Sequence, residues 1–160
     1  MFSLEYMAGF FDGEGCVNIT LGGKGRQRIL RVMIVNTNRI ILEEFQKQFG
    51  GKLNKSRTLK ENWKPFNCLT FINTHALDFL QKIYPFIFIK KRQIELAMEF
   101  REFMESPKKD RCYFQSHNSP YNSNLGCYVR KEETLKKELE FKQKMNDLNK
   151  RGTVNENTLH

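Results

Sequence analysis

Two acids close a run of small residues near the start of the chain. Ala8, Gly9 and Gly13 put a strip of missing side chains along one face of a short helix, with Asp12 and Glu14 at its end. Such a strip lets two helix backbones approach closely. The run occurs once in 160 residues and has no internal repeat, so the partner helix is expected from a second molecule. A second set of chemistry-bearing residues is basic. Between positions 22 and 65 stand eleven Lys and Arg residues against Glu43, Glu44 and Glu61 only, so this stretch supplies +8 of the net charge of +9. A polyanion is the natural partner for such an excess, and nucleic acid the commonest polyanion. Cys112, His117 and Cys127 fall in one polar segment, but their spacing matches no zinc module.

The elements that must carry these residues are legible from periodicity and punctuation. Ser3 is a candidate N-cap for a helix over 3–12, with Gly13 and Gly15 marking its end. Residues 16–21 alternate apolar and polar, and after the turn signal at 22–25 a returning strand covers 26–35. Asn38 caps a helix over 39–49 that stops at Gly50-Gly51, and a second hairpin pairs 52–59 with 66–73. Amphipathic helices follow, one capped by Thr74 and running to Ile83, and one over 91–105. Residues 1–105 form the core, 106–129 read as a polar loop, and 130–160 as a charged helix with a tail. Hairpins separate the strands, so the fold class is α+β with an antiparallel or mixed sheet and helices on one face.

Alternation assigns the sheet faces. Asn18 and Thr20 share one face; Gln27, Ile29, Arg31 and Met33 look outward while Leu30, Val32 and Ile34 look inward. In the second hairpin, Lys55, Arg57, Asn67 and Leu69 are expected on the outward face. Ribbons with Arg, Asn, Gln and Thr at alternate positions suit the major groove of DNA. Lys24, Arg26 and Arg28 are better placed to hold phosphates, which orient without specifying.

Composition excludes other classes. With 39% hydrophobic and 28% charged residues the chain is globular rather than disordered. No apolar run approaches the roughly 20 residues that span a bilayer, and no membrane partner is expected. The first residues lack a secretory pattern, which makes an intracellular site and reduced cysteines the expectation. Lys, Asn, Ile and Phe usage suggests an AT-rich gene, compatible with a chloroplast or mitochondrion.

Tyr6-Met7-Ala8-Gly9-Phe10-Phe11-Asp12-Gly13-Glu14-Gly15 resembles the signature of the LAGLIDADG homing endonucleases, position by position from Met7 to Gly15. The α-β-β-α-β-β-α order that follows is the one that family uses, and the resemblance covers about residues 4–105. It implies a curved sheet serving as a DNA-binding saddle, with C-terminal helices added. It also implies a homodimer joined along the first helices through Ala8, Gly9, Asp12 and Gly13, which sets two C-terminal carboxylates side by side. Glu14 would then be the catalytic acid and a ligand for Mg²⁺, or Mn²⁺ in its place, with the Gly13 carbonyl as a second ligand. Asp12, on another side of the last turn, reads as structural. By the same resemblance, Asn36 orders a catalytic water, and Lys90 and Arg39 are basic residues near the scissile phosphate. The activity implied is intron-encoded, metal-dependent cleavage of both strands of a long pseudo-palindromic DNA site. An RNA-splicing maturase and a DNA-binding protein without catalysis are the alternatives on the same fold.

Overall fold

The computed structural model describes residues 2–22, 27–54, 64–105 and 132–150, together with the backbone of 111–114 and 127–130. Lys24, Arg26, Lys55, Arg57 and His117 lie outside the described residues.

The chain begins with α1 (Leu4–Glu14), whose first turn is capped by Ser3 Oγ accepting from the Tyr6 amide at 3.3 Å. Strands β1 (Gly15–Leu21) and β2 (Arg28–Asn36) form the first hairpin. Helix α2 (Arg39–Phe49) starts where Asn38 Oδ1 accepts from the Ile40 amide. It ends at Gly50 and Gly51, whose φ values of 74° and 90° lie in the left-handed region that glycine enters without steric cost. Then come β3 (Lys52–Leu53), β4 (Asn67–Ile72), α3 (Asn73–Ile83) and a 3₁₀ turn over Tyr84–Phe86. Helix α4 (Lys91–Glu105), β5 (Arg111–Phe114), β6 (Cys127–Arg130) and α5 (Glu132–Leu148) complete the chain.

The main sheet has the order β1-β2-β4-β3 and is antiparallel at every pairing. One face is the core. Val17, Ile19, Leu30, Val32, Ile34, Leu69 and Phe71 point into it and meet Met7 and Phe11 of α1, Phe45 of α2, Phe79 of α3 and Phe100 of α4. Phe79 organises the centre: it stacks on Phe71 at 4.7 Å and takes edge contacts from Phe11 and Phe49 at 5.2 and 5.0 Å. Such ring pairs add directional packing to the burial of large apolar area.

Three expectations are corrected. The segment read as a loop over 106–129 contains the antiparallel pair β5–β6. Cys112-Tyr113-Phe114 and Cys127-Tyr128-Val129 have the aromatic and β-branched content of strands, hidden between Ser-, Asn- and Lys-rich flanks. Helix α3 starts one residue before the expected Thr74 cap, with Ile72 at the cap and no side-chain hydrogen bond there. Asn73 takes φ 48° at that entry, which Asn tolerates better than most residues. Finally, Asn67 and Leu69 face the core. Asn67 pairs with Asn36 and Leu69 with Ile34, so the outward residues of β4 are Cys68, Thr70 and Ile72.

Candidate active site and nucleic-acid interface

The last turn of α1 runs straight into β1 without a loop. Gly15 makes this junction possible, because a Cβ there would collide with the Phe11 ring and carbonyl. The Gly15 amide donates to the Phe11 carbonyl and so satisfies one of the helix's orphan acceptors. The Asp12 carbonyl accepts from Lys90 Nζ. Gly13, between the anchored Asp12 and Gly15, is exposed.

Asp12 and Glu14 have opposite surroundings although two residues apart. About 200° of helical rotation separates them. Asp12 is buried, and its carboxylate accepts from three backbone amides, Phe88 at 2.7 Å, Ile89 at 3.1 Å and Lys90 at 3.0 Å. It therefore ties the α3–α4 connection to the foot of α1. Glu14 is exposed, at the last position of the helix.

Lys90 is half-buried beside them. Burial pushes its ammonium pKa below the ordinary lysine value, while Asp12, Cys16 and Glu14 act in the opposite direction. Glu14 and Lys90 thus lie near enough for their charges to interact. Cys16, on the first turn of β1, has a thiol whose pKa is raised by burial against the opposing influence of Lys90.

Asn36 and Arg39 reach the same end of the sheet, since Gly15 lies opposite Ile34 and Asn36 is two residues further along β2. Their side chains are occupied there. Asn36 Oδ1 accepts from the Asn38 amide at 2.8 Å. Arg39 Nε meets Glu43 Oε1 at 2.8 Å, and its Nη1 donates to Asn67 Oδ1 at 3.5 Å. Asn67 Nδ2 in turn lies within 3.5 Å of the Asn36 and Thr37 carbonyls. Asn67 is a buried bracket under the entry to α2, and its polarity alone had suggested the opposite face.

The expected contact helix is also revised. Ala8 and Asp12 are buried in the chain's own core, so neither lines an external face of α1. Gly9 and Gly13 are exposed one turn apart, and a Cβ added at either would meet nothing within 4 Å. The strip without side chains is therefore Gly9–Gly13, with exposed Tyr6 extending it.

On the sheet's outward face, pairing places Cys16, Asn18 and Thr20 of β1 opposite Met33, Arg31 and Ile29 of β2. Thr70 lies opposite Met33 and, on its other side, Lys52. Gln27 is exposed before β2; Arg28 has the inward parity and gives its amide to Glu138 Oε2 at 3.3 Å. Arg31, Lys52, Asn54, Thr70 and His75 line a cleft of about 550 Å³ on this face. Arg31 Nε and Thr20 Oγ1 are buried without a hydrogen-bond partner among the described residues. Lys52, Thr70 and His75 were missed at the sequence level. Correct strand phase would have found the first two; His75, on the first turn of α3, carried no signal.

No family model matches the sequence, and no curated protein matches it significantly. Solved structures do match. I-CvuI, a homing endonuclease solved on its target in the presence of calcium, superimposes with TM-score 0.65 at 19% identity, over 94% of this chain and 83% of its own. An archaeal intron-encoded homing endonuclease, I-Vdi141I, solved with DNA, gives 0.62 at 18% identity over 93% and 85%. The LAGLIDADG homing endonuclease I-LtrWI, solved with target DNA, gives 0.60 at 21% identity over 91% and 44%. The fold is that of the LAGLIDADG homing endonucleases. In this fold α1 carries the run that resembles the family's signature, and the exposed acid at its foot is Glu14.

Proposed function

We propose that this chain is a site-specific DNA endonuclease that works as a homodimer and cuts both strands of a pseudo-palindromic duplex. The observation that carries the reading is exposed Glu14 at the foot of α1, with half-buried Lys90 close enough to feel its charge, at one end of an open sheet face that carries Asn18, Thr20, Arg31 and Thr70. The relatives solved on DNA share the fold, and I-LtrWI is spanned by this chain over less than half of its length. One copy of this chain thus supplies one half of such an assembly.

The residues fit a hard divalent cation only in part. Glu14 and the Gly13 carbonyl are oxygen donors of the type Mg²⁺ prefers. Among the described residues no group of three or more acids, His or Cys surrounds them, and Asp12 is committed to backbone amides. Waters, DNA phosphate oxygens and the Glu14 of a second copy would complete the coordination of such a cation. A cation held there would supply charge stabilisation and water activation for displacement at phosphorus. Lys90 contributes a fixed positive charge beside the phosphate, and its hold on the Asp12 carbonyl keeps the foot of α1 in register with α4. The outward sheet residues bind and orient the duplex.

The dimer follows from the Gly9–Gly13 strip, which is open in one chain and suited to close approach of a second α1. Phe88 and Ile89, 89% and 69% exposed, add apolar surface on the connection that Asp12 holds against the helix. The test is to incubate the purified protein with Mg²⁺ and a pool of duplexes of random sequence, then sequence the ends produced. Enrichment of paired cuts within a pseudo-palindrome is expected. Tight duplex binding without cuts would leave a DNA-binding protein, and preference for structured RNA would favour a maturase.

A further inference from the structure

Strand β1 is an edge strand, and α5 is fastened along it. Met145 is fully buried in the core, and the Leu148 carbonyl accepts from Gln93 Nε2 at 3.1 Å, so the C-terminal end of α5 is fixed to α4. The next residue, Asn149, reaches over the strand edge. Its Nδ2 donates to the Val17 carbonyl at 2.8 Å and to Asn18 Oδ1 at 3.3 Å. Asn18 Nδ2 then donates to Cys16 Sγ at 3.0 Å.

This relay has only one consistent direction. A backbone carbonyl can only accept, so Asn149 must present its NH₂ group to the strand. Asn18 must therefore present its oxygen to Asn149 and its nitrogen to Cys16. The two ends of an amide look alike in shape, and a free surface Asn can turn over to suit any partner. Here that freedom is removed. The amide of Asn18 has two N–H groups and accepts at two lone pairs, and the relay uses one of each. One donor and one acceptor remain on the Asn18 amide, and Asn18 stands on the outward face across from Arg31.

We propose that Asn149 is a positioning residue for base recognition: through the relay it fixes Asn18 in the one orientation whose remaining donor and acceptor match the N7 and N6 edge of adenine. This rests on the reading of the sheet face as a DNA interface, and it gives the junction after the C-terminal helix a part in specificity.

The experiment selects binding sites from random duplexes with the full-length protein and then measures competition at each position. Wild type should show adenine preferred about tenfold at one position of each half-site. Asn149→Ala should bring that preference to within about twofold, leave the other positions and the thermal midpoint nearly unchanged, and add nothing when Asn18 is already Ala. Asn18→Asp still accepts from Asn149 but has no donor left, so its preference should move toward cytosine, whose N4 group only donates. The proposal is overturned if Asn149→Ala leaves the adenine preference intact, or if it weakens all sequences equally. A wild-type protein that selects no sequence overturns the endonuclease reading, and this inference with it.

Discussion

Glu14 and Asp12 show how one helical turn separates chemistry from architecture. Asp12 spends its carboxylate on three amides of the Phe88–Lys90 connection, whereas Glu14 is left to solvent at the end of α1. On the proposed reading, Glu14→Gln should therefore abolish cleavage yet keep duplex binding within about tenfold, because it would remove a metal-binding charge and no groove contact. Gel-shift titration beside a cleavage assay checks this, and near wild-type cutting would exclude Glu14 as the essential acid. Lys90 gives a pH prediction. Burial lowers its pKa from 10.5, and on the proposed reading the cationic form is the one that serves the site. Cleavage should hold steady while Lys90 is protonated and fall on the alkaline side as pH passes its lowered pKa. In Lys90→Arg, which stays charged, that alkaline limb should move to higher pH. A rate profile with no alkaline fall in the wild type would remove Lys90 from the chemistry.

At the scale of elements, legibility followed the strength of local signals. Helices α1, α2 and α4 announced themselves through Ser3, Asn38, the Gly50-Gly51 stop and clear apolar periodicity, and they stand within two residues of where those signals put them. Strand β2 was readable because Leu30, Val32 and Ile34 alternate cleanly. In β4, apolar residues occur on both faces, so alternation alone does not set the phase, and the expected outward pair Asn67 and Leu69 faces the core. Asn67 is polar because it brackets the α2 entry from inside, a tertiary demand that no local pattern records. The candidate site has the same limits: Glu14 was named from the motif and Lys90 from the family resemblance, while Lys52 and Thr70 needed the register. Two substitutions separate the faces of β4. Asn67→Ala should cost about 1 kcal/mol by removing the buried bracket on the Asn36 and Thr37 carbonyls, lowering the thermal midpoint. Thr70→Ala should leave that midpoint almost unchanged and alter duplex selection instead. Equal effects on stability from the two would contradict the register.

For the molecule as a whole, charge and symmetry are linked. A net +9 doubled by dimerisation favours a long polyanion, and affinity for duplex should fall by roughly three or more decades between 50 and 200 mM salt if six to ten phosphates are neutralised. A flat salt response would rule out this partner. The proposed dimer in turn depends on a surface that the single chain does not use. Gly9 has no neighbour within 4 Å of an added Cβ, so a side chain there strains nothing within one copy. Gly9→Leu should even favour the isolated helix, since glycine is a poor helix former, by about 1 kcal/mol. Between two copies the same side chain would wedge the helices apart, and overfilling a packed contact costs about 1–3 kcal/mol or more. The variant should therefore keep or raise its thermal midpoint as a monomer while losing the dimer in sedimentation. Double-strand cleavage should go with it, because one chain carries one Glu14 and two strands must be cut. A Gly9→Leu protein that still sediments as a dimer and still cuts would move the interface off α1. A wild type that is monomeric both free and on DNA would end the two-fold model.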